Sequence, residues 1–183
     1  MTTLALFGAA GKMGARISEK LRDAPEYQVL YVESGEAGLA RLRVRGDAPT
    51  PAEEATRQAE IVVLAIPDVV IGRVAGQVVP WLRSGAMVVC LDPAAPHSGE
   101  LPKRADISYF ITHPCHPPIV NDEATSEARA DFFGGVARQC VVCALMQGPE
   151  ADYARGEALC CRMFAPVLRV HRITVEQMAI LEP

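Results

Sequence analysis

No apolar run in this sequence is long enough to cross a bilayer. The longest, such as Ile61 to Ile66 and Met87 to Leu91, fall far short of the roughly 20 residues a spanning helix needs, so no membrane partner is expected. Basic charge is not in surplus. A net charge of -4 and the lack of any local Lys/Arg cluster leave nothing to attract a phosphate backbone, which argues against nucleic acid. No positively charged leader precedes the strand-like Leu4 to Phe7 segment, and a cytoplasmic location is the expectation. Repeats, low-complexity tracts and linkers are also missing, so the 183 residues are expected to form one main domain with a sizeable core.

Six cysteines are present, but a disulfide scaffold would be shorter and poorer in apolar residues, so reduced thiols are expected. Cys140 and Cys143 sit in a strand-like run, where residues three apart point to opposite faces. Inert packing is the expected role for both, and for Cys160 and Cys161 on a helical segment.

What is present is a rhythm. Apolar runs Leu4 to Phe7, Gln28 to Val32, Ile61 to Ile66, Met87 to Leu91, Ser108 to Thr112 and Cys140 to Leu145 alternate with helical patterns. Strands that are continuously apolar are covered on both faces, as in a parallel sheet with helices above and below. Met13, Ile17 and Leu21 form a helical stripe that Asp23 and Pro25 end. A second helix is expected from Thr50, with Pro51 at the first helical position and Glu53 closing a capping box. Thr174 with Gln177 marks another helix start, with Met178 and Leu181 on its apolar side.

Gly8-Ala9-Ala10-Gly11-Lys12-Met13-Gly14 follows the first strand and opens the first helix. That is the context in which a glycine-rich turn binds a dinucleotide: glycine allows the tight bend, and the helix N-terminus holds the pyrophosphate. The spacing is G-x-x-G-x-x-G. Glu33 ends the second strand about 20 residues beyond Gly14, where a carboxylate accepts ribose hydroxyls and repels a 2′-phosphate. The fold class read here is α/β, a Rossmann-type doubly wound and mostly parallel sheet, with NAD preferred to NADP. Gly8, Ala10, Gly11, Lys12, Met13, Gly14 and Glu33 are the cofactor-binding candidates. Asp68, after Ile66-Pro67, either lines the same cleft or caps the next helix.

His113-Pro114-Cys115-His116-Pro117-Pro118 follows the fifth run. Neutral imidazoles on a proline-stiffened backbone suit proton transfer near pH 7 or a divalent metal. Equally, they suit a rigid turn whose histidines bond neighbouring carbonyls. His113, Cys115 and His116 lack the fourth ligand of a structural zinc site.

These motifs, with Ala144-Leu145-Met146-Gln147-Gly148-Pro149-Glu150 and the closing Val175 to Pro183 segment, resemble the D-apionate oxidoisomerases, within a wider group of phosphogluconate-dehydrogenase-like and semialdehyde-dehydrogenase-like NAD-binding proteins. The resemblance runs from end to end. It implies NAD-dependent oxidation of a branched sugar acid, then an α-ketol shift to 3-oxo-isoapionate. It also implies a divalent metal on His113 and Glu182, His113 and His116 as catalytic residues, and a homodimer in the full-length protein. Family members continue into a helical C-terminal region, so residues 1–173 are read as the NAD-binding domain and 174–183 as the beginning of that region, incomplete here.

Overall fold

The computed structural model describes residues 1–181; Glu182 and Pro183 lie outside the described residues. Among the described residues seven strands form one sheet in the order β2-β1-β3-β4-β5-β6-β7. They are β1 (Thr2–Phe7), β2 (Tyr27–Val32), β3 (Ile61–Leu64), β4 (Met87–Cys90), β5 (Ser108–Pro114), β6 (Gln139–Gln147) and β7 (Val167–Arg172). The first five run parallel, β6 runs antiparallel to β5, and β7 is parallel to β6. The doubly wound, mostly parallel reading therefore holds.

Among the described residues are eight α-helices: α1 (Lys12–Arg22), α2 (Glu36–Arg45), α3 (Ala52–Gln58), α4 (Ile71–Val78), α5 (Ala94–His97), α6 (Ser126–Arg129), α7 (Ala151–Met163) and α8 (Val175–Leu181). Ile17 and Leu21 of α1, Leu42 of α2, and Leu159 and Met163 of α7 pack on one face against Leu4, Leu6, Val63, Val89 and Phe110. Ala55 of α3, Ile71, Ala75 and Val78 of α4, Ala95 of α5 and Met178 of α8 cover the other, against Phe7, Val62, Leu64, Val88 and Ile111. Every residue of β3 and β4 is consequently buried, which is why both read as unbroken apolar runs. No helix among the described residues is long and apolar enough to cross a membrane.

Local structure departs from the sequence reading at four points. Thr50 does not cap α3: the cap is Pro51, with no side-chain hydrogen bond, so the capping box does not form. Asp68 does not cap either, since Pro67 occupies that place ahead of the 3-10 turn Asp68–Val70. β5 runs on through His113 and Pro114, which pair with Val142 and Val141, so His113 belongs to a strand end rather than a loop. β7 carries polar and charged residues on a mostly exposed edge, and no apolar run announces it. The Thr174 start is as expected: the Gln177 amide donates to the Thr174 hydroxyl at 3.1 Å and the Gln177 side chain accepts from the Thr174 amide at 3.0 Å. Met178 seals α8 onto the core, whereas Leu181 is exposed.

No disulfide joins the described cysteines. Cys143 and Cys160 nevertheless meet in the core with sulfurs 3.5 Å apart, and the Thr112 hydroxyl lies 2.9 Å from the Cys160 sulfur.

Candidate dinucleotide and substrate site

Strand register assembles the site. Phe7 is level with Val32 on one side and Leu64 on the other, Leu64 with Cys90, and Cys90 with Ile111. The next residues of each strand therefore emerge on one rim, at the carboxyl ends of the parallel strands where ligands of such sheets bind. The chain leaves β1 and β3 towards this rim from adjacent strands, although α1, β2, α2 and α3 separate them in sequence.

Gly8 has φ +71°, and a Cβ there would lie 2.2 Å from the Ala65 carbonyl oxygen. Gly14 packs α1 onto the turn so closely that its Cβ would meet the Gly8 carbonyl oxygen at 2.1 Å. The turn also consumes its own amides: Gly8 donates to Val32, Gly11 to Gly8, and Ala10 to the Glu33 carboxylate at 3.3 Å. Gly11 opens α1 with no side-chain cap and no acidic residue follows in the first turn, which leaves the helix N-terminus suited to an anion.

Glu33 is clamped in place. One carboxylate oxygen accepts from Ser34 (3.0 Å) and Gly35 (3.4 Å), the other from Ala10. Behind it stands Gly38 of α2, where a Cβ would come within 2.5 Å of the carboxyl carbon. Gly8 and Glu33 line a cavity of about 170 Å³ whose apolar walls include Ile66 and Val74. Arg41 and Arg45 of α2 brace the turn from outside, donating to the Ala10 and Ala9 carbonyls at 3.0 Å each. The sequence reading missed Gly38, Arg41 and Arg45. A glycine five residues after the candidate acid Glu33 was the available signal.

Further along the rim, His113 and His116 lie with ring centroids 6.1 Å apart, and both line a cavity of about 340 Å³ with Val142, Ile173, Met178 and Leu181. The His113 Nδ1 is 2.8 Å from the Leu91 carbonyl oxygen. A carbonyl only accepts, so in the neutral ring Nδ1 holds the proton and Nε2 the lone pair, as in a metal-ligating or proton-accepting imidazole. Burial, then the Asp92 charge, pushes the Asp68 carboxyl up, while His113 opposes them. The residues lining the Glu33 cavity do not include Asp68. Among the described residues no three His, Cys, Asp or Glu side chains converge to hold a metal. Glu182, which the resemblance pairs with His113 as a metal ligand, lies outside the described residues.

His116 is held by a segment the sequence reading passed over. Its ring stacks on Phe133 at 5.6 Å, its Nδ1 lies 3.0 Å from the Phe133 carbonyl oxygen, and Lys12 of the glycine turn places its ammonium 4.3 Å from the same Phe133 ring. One aromatic residue thus bridges the glycine turn and the histidine pair. Met13, the next candidate, is a partly buried residue of α1 that packs against the core.

Fold, glycine turn and acid together define a dinucleotide-binding oxidoreductase domain. Family profiles agree: one for NADP oxidoreductase, coenzyme F420-dependent, matches residues 3–95, and one for the C-terminal part of phosphogluconate dehydrogenase (decarboxylating) matches residues 121–183. The chain is 54% identical over its whole length to a D-apionate oxidoisomerase from Rhizobium rhizogenes, covering 67% of that protein. It is 50% identical over 98% of its length to another from Cupriavidus necator, covering 66%. A solved structure from Cupriavidus necator, a semialdehyde dehydrogenase NAD-binding protein in complex with calcium and NAD, superimposes with a TM-score of 0.96 at 49% identity, over 100% of this chain and 67% of that one. The chain belongs to the D-apionate oxidoisomerase family, and spans about two thirds of the length of these relatives.

Proposed function

We propose that this chain forms the cofactor-binding part of an enzyme that oxidises D-apionate or a close branched sugar acid with NAD and rearranges the product to 3-oxo-isoapionate. The observation that carries this reading is the shared rim: the glycine turn with Glu33 at one end and the His113–His116 pair at the other, bridged by Phe133. Support comes from relatives of the same family over the whole chain and from NAD in the similar solved structure.

In this reading the first-turn amides of α1 hold the pyrophosphate, and Glu33 accepts the adenosine ribose hydroxyls against the apolar walls of Ile66 and Val74. Bound NAD supplies the hydride acceptor. His116 takes the hydroxyl proton as the carbon is oxidised, the task of a general base. His113 and Glu182 would hold a divalent ion, which when bound supplies Lewis-acid polarisation of the keto oxygen. Val142, Ile173 and Met178 supply apolar lining to the histidine cavity. The full-length enzyme is proposed to act as a homodimer on a small sugar acid in the cytoplasm.

Incubation with D-apionate and NAD, followed by NMR of the products, tests the reading. The rearranged 3-oxo acid is the expected product. An unrearranged keto acid would reduce the activity to that of a simple hydroxy-acid dehydrogenase, and NAD binding without turnover in a full-length relative would leave only a binding module.

A further inference from the structure

The segment between α6 and β6 is irregular, yet one carboxylate organises it. Asp131 accepts four backbone amides: Phe133 at 3.2 Å and Gly134 at 2.8 Å on one oxygen, Val136 at 2.9 Å and Ala137 at 3.0 Å on the other. This fixes the direction of the Phe133 carbonyl, which accepts from two side chains, Arg16 Nη1 at 2.7 Å and His116 Nδ1 at 3.0 Å. A carbonyl oxygen has two lone pairs and serves both.

Two features of the arrangement are costly. Arg16 is only 7% exposed and lies between the rings of Phe133 and Phe164, 5.1 and 5.6 Å from their centroids. Its Nε and Nη2 have no hydrogen-bond partner among the described residues. A buried cation with so few partners is expensive, and the hydrogen bond it does make steadies the carbonyl that also meets His116. Second, among the described residues His116 is the non-glycine residue whose φ lies in the left-handed region, at +58°. Such a conformation persists where the surroundings impose it, and it concentrates at functional sites.

We propose that Asp131 and Arg16 are positioning residues for His116: by fixing the Phe133 carbonyl they hold the neutral imidazole in its Nδ1–H tautomer, so that Nε2 is the atom that receives the substrate proton. The tautomer claim needs no substrate, whereas its catalytic meaning rests on the proposed function. A loop merely packed over α1 would restrict the ring's motion without selecting one nitrogen.

The test is long-range 1H–15N NMR of the histidine rings at a pH where His116 is neutral, in the wild-type chain, Asp131→Ala and Phe133→Leu. Wild type is expected to show a protonated Nδ1 and a lone pair on Nε2. Phe133→Leu keeps the carbonyl and is expected to keep that signature, whereas Asp131→Ala is expected to show a mixture of tautomers. A wild-type ring protonated on Nε2 overturns the proposal, even where a variant fails to fold. So does an unchanged signature in folded Asp131→Ala. With D-apionate and NAD as substrates, Asp131→Ala is expected to lower kcat about tenfold with the KM for NAD unchanged, the loss of orientation rather than of binding. Absence of turnover in wild type would count against the proposed function and leave the NMR result to decide the positioning.

Discussion

Glu33 and Gly38 share a space that admits no further atom: a Cβ on residue 38 would lie 2.5 Å from the Glu33 carboxyl carbon. The helix after β2 is thereby the back wall behind the Glu33 carboxylate, the acid proposed to accept the ribose hydroxyls. Gly38→Ala is expected to leave the fold intact, since alanine favours a helix interior by about 1 kcal/mol over glycine, and to push the carboxylate aside. NAD affinity should fall about fivefold, the worth of about one hydrogen bond, measured by calorimetric titration. Unchanged affinity would detach Glu33 from the cofactor.

Glu33→Ser removes the charge that repels a 2′-phosphate. The preference for NAD over NADP is expected to narrow, through gain of NADP affinity more than loss of NAD affinity. Parallel titrations of both dinucleotides check this; equal binding of the two by wild type would show that Glu33 does not choose between them.

Gly8→Ala is expected to destabilise the fold itself. The position needs φ +71° and faces the Ala65 carbonyl oxygen at 2.2 Å from any Cβ. Left-handed backbone alone costs about 1–3 kcal/mol, and backbone on both sides has little room to move. A lowered urea midpoint with an unchanged slope is the expected result.

Asp131 makes stability depend on pH in a stated direction. Burial pushes its carboxyl up, but four backbone amides outweigh burial and hold it below the usual carboxylate range. A carboxyl lowered in the folded chain binds fewer protons there than in the unfolded chain. Its stabilisation is therefore complete above the ordinary value near 3.8 and is lost as pH falls through the lowered folded value. Asp131→Ala is expected to be less stable than wild type at neutral pH, with the gap closing in acid, by urea melts across pH. A gap that does not change with pH would remove the carboxylate's role.

The glycine turn and its contact with Glu33 were legible in the sequence because the pattern is local: Gly8, Gly11 and Gly14 bend one short turn, and Glu33 follows at the end of the next strand. So were β3 and β4, whose burial on both faces leaves only apolar residues. The other end was legible only as residue types. Asp131, Phe133 and Arg16 act on His116 from distant parts of the chain, through backbone carbonyls and amides that carry no sequence signature. β7 escaped because an exposed edge needs no apolar pattern, and the capping alternative for Asp68 failed because a carboxylate beside a turn reads as a cap whether or not it caps. The Thr174–Gln177 capping box was readable for the opposite reason, since both partners lie within a single turn.

His113→Ala tests the metal reading apart from the cofactor. Titration with calcium or magnesium ions is expected to weaken while NAD affinity is retained, because His113 approaches the Leu91 carbonyl and the His113–His116 cavity rather than the glycine turn. Ion affinity equal to that of wild type would take His113 out of the ligand set.

Calorimetric titration of the folded wild-type chain with NAD addresses the whole account. Saturable binding of one NAD per chain, tighter than NADP and lost when the Gly8 or Gly14 backbone is displaced, is the predicted result. A cooperatively folding chain that takes up no NAD would contradict it.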